Sequence, residues 1–261
     1  MITLSELAQI AGVTPATVSR ALNGSAEISE SRKLQIKKLA EEYNYTPNLS
    51  ARALVGKSIK TVGIMLPEIN STFYSRIANC FESELKQHDY SMIVAITEFD
   101  TENEKRYLKI LASHKVDGII FVDCTSPVIK PQVDQIAENL KIPIIFYSSG
   151  HPPKGYDKFI VSENTIVKNA VRALHERGCT RVGFLSDKLS GLLRYPAFKK
   201  ALKVYGLPFD QSIVRVGPER FEKGGYLRMK EILASKSRID GIFIAYDEMA
   251  FGAFKAIEEA G

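Results

Sequence analysis

The chain has 261 residues, of which 45% are hydrophobic and 25% charged, a composition typical of a soluble globular protein of two or three domains. This composition excludes a disordered chain, and the lack of any run of about 18 apolar residues excludes a membrane span. The formal net charge is +5, and the first 60 residues hold 8 Lys and Arg against 5 Asp and Glu. That excess is compatible with a nucleic-acid partner, although a basic surface is more often a solvated face.

The sequence carries no recognisable catalytic or metal-binding motif. GxGxxG, GxSxG and HExxH are absent, and the four histidines are scattered. Cys80, Cys124 and Cys179 lie far apart without a CxxC spacing, which favours reduced structural thiols over zinc ligands or disulfides. Because MITLSELAQ has neither a basic flank nor an apolar run, we expect a cytosolic protein that is not an enzyme and needs no metal or cofactor.

The first 22 residues predict two short helices around a tight turn. Thr3 and Glu6 have the spacing of a capping box at the start of the first helix. Its apolar side chains recur at helical spacing, at Leu4, Leu7, Ala8 and Ala11. Gly12 supplies a backbone that tolerates left-handed dihedral angles, and Thr14 followed by Pro15 starts a second helix.

The second helix divides into an apolar and a small polar face. Val18, Ala21 and Leu22 share the predicted buried side. The outer side carries Pro15, Ala16, Thr17, Ser19 and Arg20. Such a helix fits the major groove of DNA, where Arg20 is suited to guanine and Thr17, Ser19 and Asn23 to phosphate oxygens. The alternative is an ordinary helical hairpin, which is common in soluble proteins.

A third helix and a short connecting segment follow. Ile28 and Ser29 suit a hydrophobic staple and cap, and apolar residues then recur at helical spacing, at Ile36, Leu39, Ala40 and Tyr43. Pro47 ends this helical region. The next segment, NLSARALVGKS, is too short to form a stable helix alone in water, so we expect it to need a partner.

The motifs GVTPATVSRALNG and EEYNYTPNLSARAL, with the strand that follows, resemble the lactose/galactose repressor family of bacterial transcription regulators, and the resemblance covers the whole chain. It implies a homodimer on double-stranded operator DNA and a hinge helix whose leucine, here Leu54, enters the minor groove. The implied DNA contacts are Thr14, Pro15, Ala16, Thr17, Ser19, Arg20, Asn23, Tyr45, Asn48, Ser50, Ala51 and Leu54.

From Ile59 onward the pattern becomes α/β. Continuous apolar runs of strand length alternate with amphipathic helices, which predicts parallel sheets covered on both faces. Together with the resemblance, this gives an all-α helix-turn-helix headpiece followed by two doubly wound parallel-sheet lobes of the periplasmic-binding-protein type. We predict the domain boundaries as follows: 1–47 helix-turn-helix domain, 48–58 hinge helix and linker, 59–161 first effector-binding lobe, 162–261 second lobe.

A cleft between two such lobes is a natural site for a small molecule, because open parallel sheets bind ligands outside the carboxyl ends of their strands. The resemblance implies a small-molecule effector, a sugar or related metabolite. Its candidate contacts are Asn70, Phe73, Tyr74, Asp100, Tyr147, Arg194, Tyr246 and Asp247. Phe73 fits a plain core residue equally well. Two positions depart from the family pattern: Ala197 precedes Phe198 where a glycine is usual, and Tyr246 replaces a smaller polar residue.

The sequence ends at Gly261 after a helix, where the family continues further, so we expect an incomplete second lobe. The competing class is a stand-alone sugar-binding protein or an α/β enzyme with an N-terminal hairpin. Neither would need the Leu54 hinge. Specific retention of DNA fragments in the presence of heparin distinguishes a repressor from both.

Overall fold

A computed structural model describes residues 2–46, 58–123, 127–150, 152–235 and 237–261. Its contacts divide the chain into two compact units, residues 1–59 and 60–261. In the described part of the first unit, α1 (Leu4–Ile10), α2 (Pro15–Leu22) and α3 (Glu30–Glu42) surround a small core. Leu7, Val18 and Ile36 are each fully buried there.

The second unit contains two sheets. The first has the strand order β2-β1-β3-β4-β5, and every pairing in it is parallel. Its strands are β1 (Thr61–Leu66), β2 (Ser91–Ile96), β3 (Gly118–Val122), β4 (Ile144–Ser148) and β5 (Asp157–Ile160). Its helices are α4 (Thr72–Gln87), α5 (Thr101–Ser113) and α6 (Lys130–Leu140), the last preceded by a 3₁₀ turn at Pro127–Ile129.

The second sheet has the order β7-β6-β8, again parallel. Its strands are β6 (Val182–Asp187), β7 (Val214–Gly217) and β8 (Gly241–Ile244), with a 3₁₀ turn at Gln211–Ile213. Its helices are α7 (Glu163–Glu176), α8 (Lys188–Val204), α9 (Phe221–Ala234) and α10 (Asp247–Glu258). The described strands of this sheet repeat the order of the first three strands of the other sheet, so the predicted pair of α/β lobes is confirmed.

Each lobe has its own aromatic core against its sheet. Phe121 and Phe146 stack with ring centres 4.8 Å apart, and Phe184 and Phe243 stack at 5.5 Å. Such pairs add to the stability that burial alone provides. The strand ends that carry polar side chains therefore project from rigid cores.

Candidate functional sites

The first candidate site is the outer face of α2, and local capping sets where this helix begins. Thr14 Oγ1 accepts a hydrogen bond from the Thr17 amide at 3.2 Å, and Pro15 is the first helical residue. Gly12 has the expected positive φ of 64°. The capping box of Thr3 and Glu6 is also formed, with the Thr3 amide 2.7 Å from Glu6 Oε2. The turn and both helix starts are thus as predicted.

The predicted cap of the third helix is confirmed in its position but not in its hydrogen bond. Ser29 occupies the N-cap position of α3 but makes no side-chain capping bond. Its hydroxyl lies 3.2 Å from that of Ser31 instead. The two serine hydroxyls bond to each other, so the Ser29 side chain does not accept a hydrogen bond from a helix amide.

The two faces of α2 differ as predicted. Val18 and Ala21 are fully buried against the headpiece core. The predicted contacts on the other side are exposed or half-exposed. Exposed are Thr14, Pro15, Ala16, Arg20 and Asn23, and half-exposed are Thr17 and Ser19. The helix therefore presents a small polar surface with one cation, Arg20, near its end.

The side chains of this surface already have partners within the headpiece. Arg20 Nε lies 3.4 Å from Glu27 Oε2. Asn23 donates from Nδ2 to the Ser19 carbonyl at 2.6 Å. Tyr45 is half-buried and packs against the headpiece core. Asn48, Ser50, Ala51 and Leu54 lie outside the described residues.

The second candidate site lies where the two lobes meet, and Asp123 organises its first-lobe side. The Tyr74 hydroxyl donates to Asp123 Oδ2 at 2.9 Å. Asp123 Oδ1 accepts from the amide and the hydroxyl of Ser149 at 2.7 and 2.8 Å. Burial, followed by the Asp123 charge, raises the pKa of the phenols of both Tyr74 and Tyr147. Both phenols therefore stay protonated at neutral pH and can donate hydrogen bonds.

The other first-lobe candidates, Asn70, Phe73 and Asp100, are not joined by hydrogen bonds to Asp123 among the described contacts. Asn70 is exposed. Phe73 is 47% exposed and meets Tyr74 edge-on at 5.1 Å, so the alternative of a plain core residue is wrong. Asp100 caps α5 by accepting from the Asn103 amide at 2.8 Å. Its carboxylate thus has a structural partner.

The second-lobe side is built on Arg194 and Tyr246. Arg194 forms a bidentate pair with Glu163 at 2.9 and 3.0 Å and also donates to the Ala245 carbonyl. Burial opposes the charge, but the Glu163 carboxylate outweighs it and raises the pKa of Arg194. The Tyr246 hydroxyl accepts from the Phe221 amide at 3.0 Å, and burial raises its pKa to about 12. Asp247, the first residue of α10, is exposed.

Contacts of Arg220 and of Glu248 join the lobes directly. Arg220 forms a bidentate ion pair with Glu68, with nitrogen to oxygen distances of 2.6 and 2.7 Å. The Arg220 guanidinium also lies 5.5 Å from the ring centre of Phe99. Glu248 Oε1 accepts from the Thr72 amide at 2.8 Å. We call Glu68, Arg220, Thr72 and Glu248 the cross-lobe contacts.

Sequence reasoning missed several residues of this site. They are Glu68, Asp123, Glu163, Arg220, Phe221, Glu248 and the fully buried Asp187, whose charge acts on Tyr246. Four of them end a strand or follow one closely, namely Glu68, Asp123, Asp187 and Glu248. An acidic residue at the carboxyl end of a parallel strand is a usable signal for a site, because these ends share one edge of the sheet.

The interlobe site combines carboxylates, phenols and two guanidinium groups. Both guanidinium groups are paired with carboxylates, and Arg220 Nε is buried without a hydrogen-bond partner among the described residues. Such a set can donate to and accept from hydroxyl groups. Within the described ranges, we find no group of three His, Cys, Asp or Glu side chains arranged to hold a metal ion. No helix in the described part of the chain is both long and apolar enough to span a membrane.

Comparison with known proteins matches both units to one family. Residues 3–48 match the family of bacterial regulatory proteins of the lacI type. Residues 59–261 match the family described as periplasmic binding proteins and the sugar binding domain of the LacI family.

The similar proteins are longer than the part of them that aligns with this chain. The HTH-type transcriptional regulator RegA of Clostridium saccharobutylicum is 26% identical over 98% of this chain and 77% of its own length. Catabolite control protein A of Staphylococcus xylosus is 27% identical over 100% of this chain and 78% of its own length. The fold is also similar to that of the Lac repressor dimer bound to operator and an anti-inducer, with a TM-score of 0.81 at 23% identity, covering 100% of this chain and 78% of that one. Since family matches cover both the headpiece and the two lobes, the chain belongs to the LacI family of bacterial regulatory proteins.

Proposed function

We propose that this protein represses transcription of a metabolic operon by binding a specific operator, and that a sugar or related metabolite bound between the lobes controls its affinity for DNA. The protein is a transcription regulator of its family and not an enzyme. The observation that carries the proposal is the small, polar, exposed face of α2 with Arg20, which fits a major groove. The headpiece is joined to two lobes of a sugar-binding type.

The proposed DNA surface extends beyond α2. Thr17, Ser19 and Asn23 would hold phosphates while Arg20 reads a base. Thr14, Pro15 and Ala16 would lie against the DNA at the start of the helix. Tyr45, Asn48, Ser50 and Ala51 would continue the contact toward the operator centre. There, Leu54 of each protomer would wedge between base steps and kink the duplex. We propose domain boundaries at 1–47, 48–58, 59–161 and 162–261, with the regulator acting at the nucleoid in the cytoplasm.

The proposed control acts through the segment between the units. Residues 48–58 connect the headpiece to the first strand of the first lobe, so a change in the angle between lobes would alter how the two hinge segments of a dimer approach each other. The coupling must be reciprocal: an effector that changes operator affinity by some factor has its own affinity changed by the same factor when operator is bound.

Arg20→Ala tests the DNA-binding proposal. We expect the variant to lose about 1 to 3 kcal/mol of operator affinity and to relax base preference at one position, because a bidentate guanine contact is removed. The measurement is selection from a randomised operator library followed by quantitative gel shifts at fixed salt.

Lys38→Ala is the matched control, since Lys38 is exposed on α3 of the same headpiece. It removes one positive charge and should weaken binding to all sequences alike. If Arg20→Ala keeps the wild-type base preference, Arg20 does not read a base.

The dimer proposal has a candidate surface on α10. Phe251 and Phe254 are 63% and 62% exposed, and Ile257 is 39% exposed. These residues are spaced by three positions, so they form one apolar stripe along the helix. Large exposed apolar patches mark interaction sites in soluble proteins. Such a stripe suits the same helix of a second copy, as in an isologous dimer interface.

Phe251→Asp should convert the dimer to a monomer. Light scattering after size exclusion at low micromolar concentration reports the mass, and operator affinity should fall by about 100-fold or more because two headpieces no longer bind together. Leu192→Asp is the control, because Leu192 is 72% exposed on another helix, α8, of the same lobe. A Phe251→Asp protein that stays dimeric would place the interface elsewhere.

A further inference from the structure

Glu68 and Arg220 join the two lobes. The two residues are 152 positions apart, and their side chains are mostly buried, at 13% and 24% exposure. Each terminal nitrogen of Arg220 donates to a different oxygen of Glu68. This bidentate geometry is the strongest form of an arginine-carboxylate pair and is more effective than a single surface contact.

The surroundings of the pair hold Arg220 in place from both lobes. Its guanidinium lies 4.7 Å from the ring centre of Phe221 in its own lobe and 5.5 Å from that of Phe99 in the other. Cations over aromatic faces are attracted electrostatically. The Phe221 amide is bonded to Tyr246, which fixes the backbone beside Arg220.

The backbone on both sides of this contact is in an unfavourable conformation. Phe221 has a φ of 57°, and Glu98 and Phe99 have φ values of 58° and 56°. Residues other than glycine rarely adopt this region, and strain of this kind concentrates at ligand clamps and switches. The strained residues are those that position the rings around Arg220.

We propose that Glu68 and Arg220 form a closing pair: an ion pair that holds the lobes together and that an effector must displace or accommodate. The regulatory consequence of closure rests on the proposed function, whereas closure itself does not.

Amide hydrogen exchange of the unliganded full chain tests the closing pair, because each lobe carries its own reporter. The Thr72 amide is bonded to Glu248 across the lobes, and the Phe221 amide is bonded to Tyr246 within the second lobe. If the pair closes the lobes, Glu68→Gln in the first lobe should accelerate exchange of the second-lobe peptide 217–223. Arg220→Gln in the second lobe should accelerate exchange of the first-lobe peptide 67–74. We expect acceleration of about three- to tenfold in each case.

The matched control is Asp210→Asn, which breaks the Arg181 to Asp210 pair within the second lobe. It should leave both reporter peptides unchanged. The double variant Glu68→Gln with Arg220→Gln should accelerate each peptide no more than the stronger of the two single variants, because both changes break the same pair. Such non-additivity supports the proposal even if a single variant loosens the whole unit.

The proposal is overturned if each single variant accelerates only the peptide of its own lobe, or if the double variant accelerates exchange by the product of the two single effects. Operator binding by the same proteins is measured separately in gel shifts. A protein that never binds DNA would contradict the proposed function, yet it would leave the exchange result for the closing pair intact.

Discussion

Arg194→Ala is expected to destabilise the second unit by about 3 to 5 kcal/mol, because it leaves the Glu163 carboxylate unpaired where its side chain is only 10% exposed. The Ala245 carbonyl loses a donor at the same time. For a unit of this size, a loss of that order lowers the melting temperature by about 10 °C. Differential scanning calorimetry of the full chain measures the change.

Two controls separate this effect from a general loss of charge. Arg172→Ala removes an exposed helix pair, since Arg172 and Glu176 are 54% and 65% exposed, and should cost less than about 1 kcal/mol. The double variant Arg194→Met with Glu163→Leu replaces the pair by apolar groups and should recover most of the stability. If Arg194→Ala and Arg172→Ala have the same melting temperature, the pair of Arg194 and Glu163 does not stabilise the fold. Any role of Arg194 in effector binding must be measured against this stability change.

Gly252→Ala should also be strongly destabilising, because α9 and α10 pack closely at two glycines. A Cβ on Gly252 would overlap the Glu222 carbonyl and lie 2.8 Å from the Tyr226 amide nitrogen, and a Cβ on Gly225 would overlap the Met249 carbonyl. Alanine favours a helix over glycine by up to about 1 kcal/mol. Separating two helix backbones costs about 3 kcal/mol or more, so the clash prevails. The melting temperature of Gly252→Ala should therefore fall.

Gly150→Ala is the matched control, since its added Cβ would meet only the Ser148 hydroxyl at 3.7 Å. It should melt within about 1 °C of wild type. Since α10 begins beside Tyr246 and carries Glu248 in its first turn, Gly252→Ala should in addition speed exchange of the Thr72 amide. A variant that melts at or above the wild-type temperature would show that the helices can separate at little cost.

The sequence by itself determined the local structure of the headpiece. Thr3 and Glu6, Gly12, and Thr14 with Pro15 act on amides within a few residues, so their spacing alone identifies the helix starts and the turn. Ser29 shows the limit of such reasoning, because a neighbouring hydroxyl competed for the cap. The outer face of α2 followed directly from which of its positions were apolar.

The sequence also determined the class of the larger unit. Apolar runs of strand length alternating with amphipathic helices specify parallel sheets covered on both faces, and both sheets are parallel throughout their described pairings. The apolar runs differ in how well they coincide with strands: SMIVAI forms β2 from Ser91 to Ile96, whereas SIVRV begins in a 3₁₀ turn before β7. Hydrogen bonding at strand ends depends on the partner strand, which the run itself does not specify.

Only the tertiary structure decided which polar side chains meet. Glu68 and Arg220 are 152 positions apart, and Thr72 and Glu248 are 176 apart, distances at which periodicity carries no information. Arg194 was predicted as an effector contact, and its guanidinium group forms a bidentate ion pair with Glu163 of another helix. The physical reason is that hydrophobic patterning fixes the face a residue occupies, whereas ion pairing depends on which loops the packed sheets bring within about 3 Å of each other.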